Sequence, residues 1–554
     1  MKIRLFQGAI PARSPRLLPD RAHATYTVNC DFRSGQLKGI RRPRKTSDYK
    51  PRIESPARVD RIKRLGKSEY AWVGLPHVDA NIVRSPVVND AFDRFYVFSP
   101  DRKPGVTTFD RISEGDGEIY DLEVPRPRSG ASVVSRPATG PLAERRAYVY
   151  TYVTEWGEES GISQPFFTDA LPSDTVVVRN FYDPGADSLQ GREFRFVRFY
   201  RTVTSAAGSD FFFVADVPWG ELEWRDDIPP NDVAMNRNLG AAGGNLPSGY
   251  YGALTHPSGS ILTFKGNSIR FSRPFMPHSW PEDYEIALPD EVVAAEMFDQ
   301  NVVVLTDSRV YLLFGNTPPN LGILTYPGSM PCIGRGTVCN VPGGIVFGTN
   351  DGIAFVGREQ PTLVSSQVIR RDQWRQSFSK PYRAFYSDGV YYGFLADGLG
   401  FQFPVPVSTF DVLHVDEGAV PTFDFYTNTP FLLYADGLYE WTPEAGPYME
   451  YRWDSGDFFM TDAENIAAAR VWFDPLPLDM IDPTTVEGLQ DASRTVLFTM
   501  KSEGEVVYSM PVASGEMIAL PGGYKSHVVS MSISGQCPVH LLEVGRSMVE
   551  VQND

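Results

Sequence analysis

KGNSIRF at 265–271, TDSRVYLLF at 306–314, TNDGIAFVG at 349–357, YSDGVYYGF at 386–394 and YADGLYEW at 434–441 repeat one pattern between Leu262 and Trp441: a short polar turn, then an apolar, aromatic-rich strand. Aligned on Ser268, Arg309, Gly352, Gly389 and Gly437, the copies stand 41, 43, 37 and 48 residues apart. Asp-Gly between two strand patterns signals a hairpin, because both central residues of a type I′ turn need positive φ. A beat of about forty residues is the period of a four-stranded propeller blade. Asp-Gly turns also occur in a sandwich with several hairpins, where turns come every eight to twelve residues without the longer beat. The spacing therefore favours the propeller.

Working outward, 554 residues exceed one compact core and imply several domains. Many Phe, Tyr, Gly and Pro residues suit short strands joined by tight turns. The best helix candidates are short, DEVVAAEMFDQ at 290–300 and ENIAAAR at 464–470. No apolar run is long enough for a membrane span, and Pro11, Arg13, Pro15 and Arg16 interrupt any signal-peptide core. Cys30, Cys332, Cys339 and Cys537 lack a zinc spacing and are expected to be free thiols, as in a reducing cytoplasm.

The chain divides, on this reading, into an N-terminal arm with first propeller strands (1–125), a fibronectin-III-like sandwich inserted at 126–235, propeller blades at 236–450 and a C-terminal β-sandwich at 451–554. Prolines keep residues 1–60 extended, so that segment needs a surface to lie on. YAWVGL, ANIVRSPVV and DRFYVFSP read as strands that supply a blade or close the ring. VPRPRSGASVVSRPATGP at 124–141 reads as a linker, and Tyr150, Tyr152 and Trp156 as core or strand-face residues of the inserted sandwich.

Charge is uneven. Residues 1–70 carry 18 Lys and Arg against 6 Asp and Glu, whereas the whole chain is −16, so the remainder is strongly acidic. A basic arm and an acidic body are natural partners; the arm is expected to dock on an acidic surface of a neighbouring subunit or another protein. RRPRK at 41–45, without interleaved aromatics, is a weak nucleic-acid signal.

Motif-borne chemistry is missing. The seven histidines show no ligand spacing, and no nucleophile elbow, phosphate loop or His-Glu-x-x-His occurs. SEGDGEIYD at 113–121 fails the calcium-loop pattern. Paired carboxylates of a glycosidase remain open among so many acids. The expectation is a non-enzymatic protein without cofactor or metal.

Several segments resemble the tail nozzle proteins (tail tubular protein B) of short-tailed bacteriophages: IPARSPRLLPDRAHATYTVNCDFRSGQLKGIRRP at 10–43, VDANIVRSPVVNDAFDRFYVF at 78–98, IRFSRPFMPHSWPEDYEI at 269–286, VVVLTDSRVYLLFG at 302–315, GGIVFGTNDGIAFVG at 343–357 and ALPGGYKSHVVSMSISG at 519–535. The order of these pieces is the main likeness. The resemblance implies a structural virion protein, assembled in the host cytoplasm into a homo-hexameric ring at the tip of the tail. Its expected partners are a tail tube or adaptor ring protein, tail fibres or tip proteins, and genomic DNA passing through without specific binding. An acidic channel would let DNA slide without phosphate contacts to break. Arg41, Arg42 and Arg44 are the expected grip on a neighbouring subunit or the tube. The alternative is a glycan-binding or glycan-cleaving propeller acting on host surface polysaccharide.

Overall fold

The computed structural model describes residues 1–47, 49, 56–114, 119–182, 192–205, 208–239, 244–318, 320–484 and 489–553. The chain is all-β: a β-propeller body, an inserted β-sandwich and a C-terminal β-sandwich. Among the described residues, five meanders of four consecutive antiparallel strands form blades, running from Asn81–Arg84 to Tyr120–Asp121, Tyr251–Thr255 to Glu285–Ala287, Val292–Phe298 to Gly322–Thr325, Cys339–Val341 to Thr362–Leu363, and Tyr382–Ser387 to Asp411–His414. A sixth comprises Val420–Asp424, Thr429–Tyr434 and Gly437–Glu440, and its fourth strand is Arg44–Lys45 from the N-terminal arm. Middle strands such as Arg94–Phe98 and Gly344–Thr349 are buried throughout. That two-sided burial is why they read as continuous apolar runs rather than alternating ones.

The chain falls into two compact units, one of residues 1–61, 303–312 and 325–554, the other of residues 62–302 and 313–324. Within the second, the first strands of successive blades pack side by side, Asn81–Arg84 with Tyr251–Thr255 and that strand with Val292–Phe298. Within the first, Tyr382–Ser387 lies between Cys339–Val341 and Val420–Asp424 in the same manner. Stacking of blades through their first strands is the propeller arrangement.

The five sequence repeats are not all equivalent. Four join the second and third strands of a blade, but YSDGVYYGF joins the first and second, Tyr382–Ser387 and Val390–Leu395. The equivalent turn in that blade is Ala396–Gly398, and aligning on Gly398 gives intervals of 41, 43, 46 and 39. Only Asp388-Gly389 has positive φ at both turn residues, +49° and +81°. In the other two Asp-Gly copies the glycine opens the next strand, with Thr349 opposite Gly352 and Tyr434 opposite Gly437.

The inserted sandwich pairs a sheet of three strands (Ser132–Val133, Val176–Arg179, Glu223–Asp226) with a sheet of four (Phe166–Ala170, Glu144–Thr154, Phe194–Ser205, Gly208–Pro218). The expected linker thus contributes Ser132–Val133 to the sandwich. Tyr150 and Tyr152 are core residues. Trp156 instead leaves that core and packs on Phe92, which precedes the blade strand Arg94–Phe98.

Both helix expectations are corrected, since Val292–Phe298 and Ala468–Phe473 are strands. Ala, Glu and Met are among the best helix formers, but propensity differences are below about 1 kcal/mol per residue, and pairing with neighbouring strands overrides them. Residues 115–118 of SEGDGEIYD lie outside the described residues. All four cysteines are buried and free. Among the described residues no helix is long and apolar enough to cross a membrane.

The arm is woven into its own unit. Lys2–Ile3 pairs with Val539–Gly545 of the C-terminal sandwich. Ala24–Val28 runs antiparallel to Tyr451–Ser455 and bridges to Val412 of the blade ending at Asp411–His414. A ten-stranded sheet results, passing from that blade through the arm into the sandwich strands Ser526–Gly535, Thr495–Ser502 and Glu505–Ala513.

Candidate functional site

Residues 41–45 cross from the sandwich to the last blade, and the structure gives the three singled-out arginines partners in the same chain. Arg42 reaches both carboxylate oxygens of Asp482, at 2.8 and 2.7 Å, and lies 3.5 Å from Asp416. The Asp482 side chain is fully buried. Arg41 donates to the Tyr448 hydroxyl at 3.0 Å and to the Gly446 carbonyl. Arg44 pairs with Glu440 at 2.7 Å on the surface. Lys2, Arg16, Lys45 and Arg61 likewise meet Glu543, Asp457, Asp436 and Asp424. The expected charge pairing is thus intramolecular: the acidic surface gripped by the arm belongs to the blades and sandwich of the same chain.

That placement sets what reversal of these arginines does. Arg42→Glu would set a second anion against a buried carboxylate and is expected to destabilise the unit by about 3 kcal/mol or more. Arg44→Glu, at an exposed pair, is expected to cost no more than about 1 kcal/mol. Urea unfolding of the two single variants checks this; equal effects would mean that the internal Arg42–Asp482 pair holds nothing.

Beneath the arm lies a cavity of about 520 Å³, bounded by arm residues including Phe6, Gly8, His23, Asp31 and Arg33 and by Val390, Tyr392, Gln402, Phe403 and Asp411 of the blade. Asp31 is held by Arg33, at 2.9 and 3.0 Å, and by Lys38 at 3.4 Å. Burial would raise its carboxyl, but Arg33 and Lys38 outweigh that and keep it below the ordinary value.

Asp411 is different. It is 3% exposed, and its Oδ1 accepts the Ala9 N–H at 3.0 Å and the Thr27 hydroxyl at 2.5 Å. Oδ2 takes only a long 3.4 Å bond from Thr409. Among the described residues no Lys or Arg forms an ion pair with it. Burial pushes its carboxyl up to about 6 despite those hydrogen bonds and the nearby His23. The other titratable groups facing it are Cys30 and, along the wall, Asp31, Arg33 and Tyr392.

The sign of the pH effect follows. A carboxyl whose folded value lies above its unfolded value binds its proton more tightly when folded. The stabilisation is therefore full below about pH 3.8 and is lost as pH rises through about 6, an effect of about 3 kcal/mol. Asp411→Asn keeps the Oδ1 acceptor without the charge. It is expected to be the more stable protein at neutral pH, with a flatter melting profile across that window; an unchanged profile would assign the titration elsewhere.

Sequence reasoning singled out the arginines and passed over Asp411, Gly8 and Gln402. The available signal was an acid at an inward position of the alternating strand DVLH, 411–414, beside buried Leu413. Among the described residues no cluster of three or more His, Cys, Asp or Glu side chains could hold a metal.

Blades stacked through their first strands, with one sandwich inserted and another fused to the arm, make this a β-propeller protein with two β-sandwich additions. No family model and no curated protein matches its sequence. Among solved structures it is similar to BamB from Moraxella catarrhalis, at 10% identity over 58% of this chain and 99% of that one, with a TM-score of 0.27. It is also similar to Hsv2 from Kluyveromyces marxianus, at 8% identity over 47% and 69% with a TM-score of 0.24, and to virginiamycin B lyase from Staphylococcus aureus, at 8% identity over 60% and 94% with a TM-score of 0.25. At these scores the propeller assignment rests on the sheets themselves.

Proposed function

We propose that this chain is a structural virion protein, the subunit of a hexameric nozzle ring at the distal end of a short phage tail. The ring forms a channel for DNA ejection and a platform for tail fibres or tip proteins. The observation that carries this reading is the woven arm: residues of one segment complete the last blade, bridge another blade to the sandwich, and pair with Val539–Gly545. A body fastened in this way is suited to bearing load. The interlocked segments 10–43 and 519–535 are also among those that carry the sequence resemblance. Many of the arm's cations are paired internally, and the net charge of −16 suits passage of a polyanion.

The test is the mass of the purified chain at low and moderate salt, with negative-stain imaging of the largest species. Rings of about six copies with a central hole are expected, alone or on addition of a tail-tube protein. A strict monomer that cleaves or binds polysaccharide would replace this reading with a glycan-active propeller.

A further inference from the structure

The cavity beneath the arm has three features that a merely imperfect packing defect would lack. Its volume, about 520 Å³, is within the range of small-molecule sites. Its walls include the aromatic rings of Phe6, Phe32, Tyr392 and Phe403. At its head stands Asp411, a carboxylate with one oxygen almost unused and, among the described residues, no cationic side chain paired with it. A carboxylate can accept about four hydrogen bonds, and burying one without a counter-charge is costly.

The backbone around Asp411 is arranged to keep that carboxylate where it is. A Cβ on Gly8 would stand 2.5 and 2.7 Å from the two carboxylate oxygens and 2.7 Å from the Thr409 hydroxyl. Only a glycine lets the arm lie this close to the acid. The remaining charges nearby are already committed, Asp31 to Arg33 and Lys38, and His23 to Asp20 at 2.8 Å. At neutral pH this leaves one uncompensated negative charge facing an aromatic chamber.

We propose that this cavity binds a small organic amine, its ammonium group on Asp411 Oδ2 and its apolar stem against Phe32 and Tyr392. The ammonium supplies the missing counter-charge and donates to the underused oxygen. A neutral ligand of the same shape gains only the apolar contact. The proposal does not depend on the nozzle reading, because the cavity lies within one chain.

The probe is benzylamine against benzyl alcohol, titrated into the full chain by calorimetry. Benzylamine is expected to bind in the millimolar range or tighter at about pH 7.5, and about tenfold more weakly at pH 5, where Asp411 is about one-tenth ionised. Benzyl alcohol is expected to bind weakly and independently of pH. Asp411→Asn should abolish the preference for the amine, and His23→Gln should retain both binding and its pH dependence. Equal binding of amine and alcohol to the unaltered chain, or none of either, would overturn the proposal without reliance on any variant's folding. Transfer of the pH dependence to His23 would overturn it as well.

Discussion

Glu158→Ala is expected to destabilise the unit that holds the inserted sandwich by about 3–5 kcal/mol, the usual consequence of removing one partner from a buried ionic group. Glu158 and Arg192 have side chains each 1% exposed, and Arg192 Nη1 donates to Glu158 Oε2 at 2.6 Å. The other carboxylate oxygen faces Arg94 at 3.5 Å, and Arg94 is bonded to Asp90 at 2.8 Å. Arg192 also donates to the carbonyls of Asp121, Leu122 and Glu123, on the chain leaving the first blade. Trp156 lies over both guanidinium groups, 6.0 and 5.7 Å away. Two charges come from the blade and two from the sandwich, so the group sums to zero and joins the two parts. Without Glu158, two buried cations face each other. Thermal unfolding and limited proteolysis at residues 124–141 would show a lowered transition and faster cleavage. Substituting Glu158 and Arg192 together by methionine, which leaves the Asp90–Arg94 pair intact, should recover much of the loss; if the single variant melts like the parent, the cluster does not lock the insertion.

Deleting residues 1–28 is expected to abolish folding of the sandwich-bearing unit altogether. The deletion uncovers the paired edges of Asp411–His414 and Tyr451–Ser455 and removes Ile3, Phe6, Ala9 and Ala24 from the sandwich core. Phe6 packs edge-on against Trp453, with ring centroids 5.2 Å apart. Loss of Ile3 and Phe6 alone withdraws about 3–6 kcal/mol of burial, and the backbone pairing of two strands goes with it. Against a typical margin of about 5–15 kcal/mol, that is decisive. Open strand edges also recruit other chains, so aggregation is the expected fate. A peptide of residues 1–30 added during refolding should restore solubility; a truncated chain that is soluble and melts cooperatively would refute this account.

Local pattern made much of the fold legible. Blade strands, the inserted sandwich and the terminal sandwich all announce themselves through alternation or apolar runs bounded by turns. The slip at YSDGVYYGF arose because a blade contains three hairpins, and sequence does not mark which of them carries Asp-Gly. The fourth strand of the last blade was hidden for a different reason: Arg44–Lys45 pairs with Gly437–Glu440, and nothing local in RRPRK specifies so distant a partner. The same distance hid the fate of Arg42. Its charge was plain, but the buried Asp482 that receives it is visible only once the sandwich is folded. Asp411 was obscured among many acids because what sets it apart is the absence of a cation beside it, a property of packing.

The pairing of Lys2–Ile3 with Val539–Gly545 has a consequence for biosynthesis. At about 5–20 residues per second, the ribosome delivers the second strand roughly half a minute to two minutes after the first. Throughout that interval Lys2–Ile3 has no strand partner, while the inserted sandwich, with local pairings, is free to fold. Completion of the arm-bearing unit therefore waits on the synthesis of residues 539–545, and the N-terminal segment needs protection until then.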